Sequence, residues 1–292
     1  MPDWRTPTMD EPMTIDTWIS DMAVAASRLN ALGALEAAAG NISVFLPRTT
    51  PGLSDFLSRR MPAATGVASS FGPSLPPGVL LITGTGRRLP DLTRDPDGVL
   101  CAVAYDTSGA ATLHRAHASI RPTSEIDSHL GIHALALGGR PRLHAVVHAQ
   151  PPKTTWLSHI PAYQETLRMN RQLMRWQPET LVMLADGIGV VPFITPGTPE
   201  QGDATTQAMR EHRLVVWAQH GVVARSEGGP NAAVDLIDYA EAAAAYEVLD
   251  ITASRPAPGM SVAQMRLIAE RFGASTTVLD QLPEEALPAM AT

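Results

Sequence analysis

At 292 residues, with 45% hydrophobic and 17% charged side chains, the chain can bury a substantial core. Its net charge of −7, with Lys and Arg scattered rather than clustered, speaks against nucleic-acid or anionic-membrane partners. A lone Cys101 excludes a disulfide framework, and no apolar run approaches the ~18 residues that span a bilayer, so a soluble cytoplasmic protein is expected.

Residues 1–12 carry acids and no apolar stretch, so no secretory signal is expected. Apolar residues Ile15, Trp18, Ile19, Met22, Leu29 and Leu32 recur at helical spacing, and Thr14 or Asp16 can cap them. The spacing predicts a helix over 14–39, stopped by Gly40, and then a strand over 41–46. The stretch 47–78, rich in Pro, Ser, Arg and Thr, reads as a surface insertion with a short helix near 53–61. Strands at 79–83, 98–105 and 111–115 lead to a helix over 124–137, and 144–149 is again a strand. Helices over 152–175, strands at 180–184 and 189–193, and a helix over 199–212 follow. Two strands flank His220-Gly221, and an alanine-rich helix covers 231–252. Ser261 with Gln264 has the pattern of a capping box opening the last helix. Strands and helices interleave without a strict βαβα beat, which fits a mixed sheet covered by helices in one domain over 1–292, with tails at 1–13 and 274–292.

Within the strand at 144–149 and its exit, His148 and Gln150 stand two apart and share a face. Two such side chains can grip one ion, with His220 beside Gly221 as a third ligand, and imidazole nitrogen suits zinc. A lone histidine in an apolar strand is also an ordinary core residue. His129 and His133 form an i, i+4 pair but lack the neighbouring Glu of H-E-x-x-H, so they read as supporting residues. Glu125 follows Pro122-Thr123-Ser124 at a helix start, where a carboxylate suits either chemistry or the helix dipole. The loops Ala39-Gly40-Asn41 and Thr83-Gly84-Thr85-Gly86 lack the lysine of a Walker loop. They are tight turns that can also hold an anion through neutral donors.

Several segments carry a family resemblance. They are Ala39-Gly40-Asn41-Ile42-Ser43, Leu81 through Gly86, Pro122 through Glu125, His148-Ala149-Gln150, Asp186 through Gly189, Pro196 through Thr198, Trp217 through Val222, and Asp235 through Glu241. Together they resemble the class II aldolase/adducin-head superfamily, and within it the rhamnulose-1-phosphate aldolase branch, over residues 14–272. The resemblance implies a three-layer α/β/α sandwich around a mixed, largely antiparallel sheet. It implies a zinc-dependent aldolase that cleaves a ketose 1-phosphate to dihydroxyacetone phosphate and an aldehyde such as lactaldehyde. Glu125 would be the acid/base carboxylate, and His148 and His220 would be zinc ligands. Gly40, Asn41, Thr85, Gly86 and Ser124 would line the phosphate pocket. Glu179 matches a carboxylate that reaches a neighbouring subunit's site in a homotetramer. Gln150 stands where the family has a histidine, which opens the site to another divalent ion, and Ala37-Ala38-Ala39 replaces a loop richer in Asn and Gly. A sugar-phosphate 4-epimerase and a metal-free interaction domain like the adducin head are the alternatives.

Overall fold

Thr14 opens the first helix, α1 (Ile15–Ala31), by accepting from the Thr17 N–H at 3.2 Å. The stripe Ile15, Trp18, Met22, Ala25, Ala26 and Leu29 is buried along it. The helix ends well short of the predicted Gly40. Leu32 takes the cap and Gly33 turns left-handed at φ +67°, so 34–40 lie outside it.

The computed structural model of the chain describes residues 13–62, 75–140, 142–253, 255–275 and 277–282. Most of the predicted 1–13 tail, 63–74 of the insertion and 283–292 of the C-terminal tail fall outside them. After α1 come β1 (Asn41–Pro47), α2 (Leu53–Ser58), β2 (Met61–Pro62), β3 (Gly78–Thr83), α3 (Pro96–Val99), β4 (Leu100–Tyr105) and β5 (Ala111–Arg115). Next are α4 (Ile126–Leu137), β6 (His144–Ala149), α5 (Pro152–Leu157), α6 (Thr166–Met174), α7 (Pro178–Met183) and β7 (Ile188–Val191). The chain continues through α8 (Pro199–Ala208), β8 (Leu214–Trp217), β9 (Gly221–Ser226), α9 (Pro230–Thr252) and α10 (Val262–Phe272). None of the described helices is long and apolar enough to cross a membrane.

Two compact units divide these elements: one of 1–150, 194–207 and 223–234, the other of 151–193, 208–222 and 235–292. In the first, strands run in the order β2-β5-β4-β3-β1-β6-β9, with antiparallel pairing from β2 through β6. In the second, β7 and β8 pair in parallel. The fold class is α/β with a mixed sheet, as expected. The first unit's core packs Leu130 and Leu137 of α4 onto Phe45, Leu80, Ile82, Cys101, Val103 and Leu113. Burial pushes the Cys101 thiol up to about 12, in keeping with its reading as a small hydrophobe.

Sequence and structure differ at 180–184, where 180–183 are helical within α7 and Leu184 caps it, rather than a strand. Pro178 stands in its first turn with Glu179, and a short apolar run carries too little periodicity to separate the two states. The predicted strand at 189–193 stops at Val191 because Pro192 has no N–H for the ladder. The helix predicted over 199–212 ends at Ala208. Pro161 breaks 152–175 into α5, a 3-10 turn and α6. In the second unit the predicted capping box is present: Ser261 accepts from the Gln264 N–H at 3.2 Å, and Gln264 accepts from the Ser261 N–H at 2.9 Å.

Gly131 lies at a close crossing of α4 and α8. A Cβ there would stand 2.0 Å from Thr206 Oγ1, and that hydroxyl is held by the Gly202 carbonyl at 2.8 Å. Gly131→Ala therefore gains helix propensity but overpacks the contact. It is expected to destabilise the protein by about 1–3 kcal/mol in chemical denaturation; an unchanged or raised stability would show that the crossing gives way freely.

Candidate active site

Antiparallel pairing of β1 with β6 sets Asn41 opposite His148, Ser43 opposite Val146 and Phe45 opposite His144. Residues two apart share a face, so Asn41, Ser43, His144 and His148 line one side of the sheet, the side that α4 covers. Glu125, His129 and His133 follow one another at i, i+4 spacing and form a polar stripe on that helix.

Glu125 sits at the N-terminal cap of α4 and is 6% exposed. Its Oε2 accepts from Asn41 Nδ2 at 2.7 Å and lies 3.5 Å from His148 Nε2. Two ligands each ~2.1 Å from a cation, at a tetrahedral angle, stand about 3.4 Å apart. The carboxylate and imidazole thus already have the spacing that a shared ion needs. Gln150 follows at the end of β6, its backbone N–H bound to the Ala34 carbonyl at 2.9 Å. Its Nε2 is 2.8 Å from His148 Nε2, while its buried Oε1 has no hydrogen-bond partner among the described residues. A half-turn of the amide exchanges these two atoms, so a carbonyl oxygen can face the same point as the His148 nitrogen. Imidazole, carboxylate and amide oxygen together fit a divalent cation.

Behind this pair the polar stripe continues inward. His129 Nε2 touches Asn41 Oδ1, and His129 Nδ1 meets Ser43 Oγ at 2.7 Å. Ser43 Oγ meets His133 Nε2 at 2.8 Å, and His133 Nδ1 meets His144 Nδ1 at 2.8 Å. Burial above all drives His129 and His144 down to about 3 and His133 well below the ordinary 6.5; the Glu125 charge opposes it at His129, while His144 adds to it at His133. These folded values lie below the unfolded one, so the unfolded chain binds protons first. Stability is then full above about pH 6.5 and drains as pH falls towards 3, at up to about 1.4 kcal/mol per pH unit for each ring. Denaturation midpoints measured from pH 7 to 4 should fall along that course; a flat profile would mean that these rings are solvated.

The two loops stand beside this pair. Gly40 has φ +81°, and a Cβ on it would meet Leu35 Cδ2 at 2.7 Å and the His148 carbonyl oxygen at 3.1 Å, so only glycine fits. The turn after β3 is sewn to the approach to α4. Thr85 N–H binds the Arg121 carbonyl at 2.9 Å, and Thr123 N–H binds the Thr83 carbonyl at 3.0 Å. This brings Thr85, Gly86 and Ser124, all exposed, to one rim. Glu179 and His220 belong to the second unit. Glu179 is exposed in the first turn of α7. The His220 ring stacks on Trp217 at 5.1 Å, after the left-handed Gln219 at φ +63°. Within the first unit, Glu125 and His148 are side chains of ligand type close enough to share a metal ion.

Sequence reasoning assigned Asn41 to phosphate and overlooked its grip on Glu125, along with Ser43 and His144. The signal was there in the alternation of 41 with 43 and of 144 with 148, set against the helical spacing of 125, 129 and 133.

Residues 20–248 match the family described as Class II Aldolase and Adducin N-terminal domain. A rhamnulose-1-phosphate aldolase of Listeria monocytogenes serotype 4b is 29% identical over 259 residues, covering 88% of this chain and 93% of the relative. Another, from Pectobacterium atrosepticum, is 30% identical over 271 residues, covering 89% and 95%. The crystal structure of a sugar-phosphate aldolase from Thermotoga maritima matches with a TM-score of 0.69 at 29% identity, over 84% of this chain and 99% of that one. With the family match running through both units and relatives aligned over most of their length, the chain belongs to the class II aldolase and adducin N-terminal domain family.

Proposed function

We propose that the protein is a metal-dependent aldolase that reversibly cleaves a ketose 1-phosphate of the rhamnulose 1-phosphate kind, giving dihydroxyacetone phosphate and a small aldehyde such as lactaldehyde. The observation that carries this reading is the buried Glu125–His148 contact at 3.5 Å, held by Asn41. His148 and His220 would hold the ion, with Gln150 adding its amide oxygen and Glu125 beside them. Two imidazoles favour zinc, and the amide oxygen admits harder divalent ions. A bound ion would supply Lewis-acid polarisation of the substrate carbonyl and stabilise the charge that develops on its oxygen.

The chain's own residues do the rest. In cleavage the hydroxyl that becomes the aldehyde oxygen gives up its proton as the C–C bond breaks, and Glu125 delivers a proton to the carbon left behind, or removes that proton in the synthetic direction. Asn41 fixes one carboxylate oxygen so that the acid meets the carbon in a constant pose. Gly40, Asn41, Thr85, Gly86 and Ser124 would offer backbone and hydroxyl donors to the phosphate. Glu179 would serve the site of a neighbouring copy in a homotetramer, in a cytoplasmic enzyme.

The test uses protein purified without chelator, analysed for metal and incubated with rhamnulose 1-phosphate, with the release of dihydroxyacetone phosphate followed by a coupled dehydrogenase. About one divalent ion per chain and stoichiometric triose phosphate are expected. An epimerised sugar with no free aldehyde would replace this reading with the 4-epimerase. A metal-free fold whose melting ignores added zinc would favour an interaction domain.

A further inference from the structure

Five hydrogen bonds run in series from His144 through His133, Ser43, His129 and Asn41 to Glu125. All six side chains are buried, and four of them, His144, His133, Ser43 and His129, are 0% exposed. Only Glu125 and Asn41 have a part in the proposed chemistry.

The direction of every bond follows from its ends. A carboxylate only accepts, so Asn41 Nδ2 donates to Glu125 and Asn41 Oδ1 faces His129 Nε2, which must donate. A neutral imidazole has one N–H, so His129 Nδ1 accepts from the Ser43 hydroxyl. Ser43 has then spent its hydrogen, and His133 Nε2 donates to it. His133 Nδ1 accepts in turn from His144 Nδ1–H. The series ends on a bare His144 Nε2, the one His144 ring atom without a partner among the described residues. Run the other way, it would strand a buried N–H there and press Asn41 Oδ1 against the carboxylate. Orphaned buried donors are rarer than orphaned acceptors. Burial that holds His129 and His144 far below their ordinary range keeps these rings neutral, as the series requires.

We propose that this one-way string is a positioning device. His144, His133, Ser43 and His129 lock the Asn41 amide in the single orientation that donates to Glu125 Oε2, and so aim the carboxylate. The proposal deepens the aldolase reading and rests on it for the role of Glu125. Bonds polarised in one direction reinforce each other. The Asn41 amide passes on a hydrogen bond but no proton, so the string orients Glu125 and does not conduct.

Nitrogen-15 correlation spectra of the labelled full-length protein read which ring nitrogen carries hydrogen. Nε2–H is expected for His129 and His133, and Nδ1–H for His144; the opposite tautomer at any of the three overturns the proposal, whether or not any ketose phosphate is cleaved. In the aldolase assay, His133→Leu should lower kcat about tenfold with KM nearly unchanged and move the His129 nitrogen signals. His133→Gln, which keeps a donor towards Ser43, should restore both. A kcat indifferent to leucine, or a loss that glutamine leaves in place, contradicts positioning. If the leucine variant fails to fold, the tautomers of the native chain decide alone.

Discussion

Glu125→Gln is expected to lower kcat for aldol cleavage by about 10²–10⁴-fold, the range for removal of a general acid/base. The substitution is nearly isosteric, and a glutamine carbonyl oxygen can still accept from Asn41 Nδ2, now 2.7 Å from the carboxylate. The fold should therefore survive, with a melting temperature close to that of the parent. What is lost is the ability to exchange a proton with carbon. The assay belongs at saturating zinc, so that weaker ion binding beside His148 does not pass for lost acid/base chemistry. A variant that keeps more than a tenth of the parental kcat would remove Glu125 from the chemistry, leaving it as a dipole-matched helix cap.

Glu247→Leu is the change with the largest expected cost in stability, about 3–5 kcal/mol, the cost of stranding one member of a buried charge pair. Glu247 is 1% exposed in the second unit. Its carboxylate accepts from Arg175 Nη2 at 2.9 Å, Trp176 Nε1 at 2.8 Å, Gln172 Nε2 at 3.1 Å and the Tyr163 hydroxyl. Leucine fills most of the volume but leaves the indole and phenol donors without an acceptor. Arg175 retains Asp250 at 2.9 Å and the Ala257 carbonyl at 2.9 Å, which limits the damage to its own charge. Urea denaturation followed by tryptophan fluorescence measures the loss. A change below about 1 kcal/mol would place this cluster among screened surface pairs.

Much of the first unit could be read from the residues alone. Asn41 to Leu46, Val79 to Thr83 and His144 to Ala149 are apolar enough to read as strands, and they are buried strands. The errors fall where the local signal is weak or divided. Thr180 to Leu184 is a short apolar run that suits strand or helix equally, and Pro178 decides it. Helix α1 has apolar spacing that continues past Gly33, yet the left-handed turn there ends it. At the site, Glu125 and His148 are legible through the segments Pro122 to Glu125 and His148 to Gln150 that carry the resemblance, since alone each also suits a helix start or a core strand. Their link through Asn41 depends on the β1–β6 register, and register is not a property of either strand alone. The same holds for Ser43 and His144, which look like ordinary core polar residues until the helical stripe of His129 and His133 is laid over them.

Exchange of the reacting hydrogen tests the central claim without reference to the aldehyde. Zinc-loaded protein in deuterated water, given dihydroxyacetone phosphate alone, should replace one of the two hydroxymethylene hydrogens with deuterium, read as a lost proton signal. The Glu125→Gln variant should leave that signal intact. A fully loaded parent protein that exchanges neither hydrogen would contradict the account, since the carboxylate beside His148 would then not be taking a proton from this carbon.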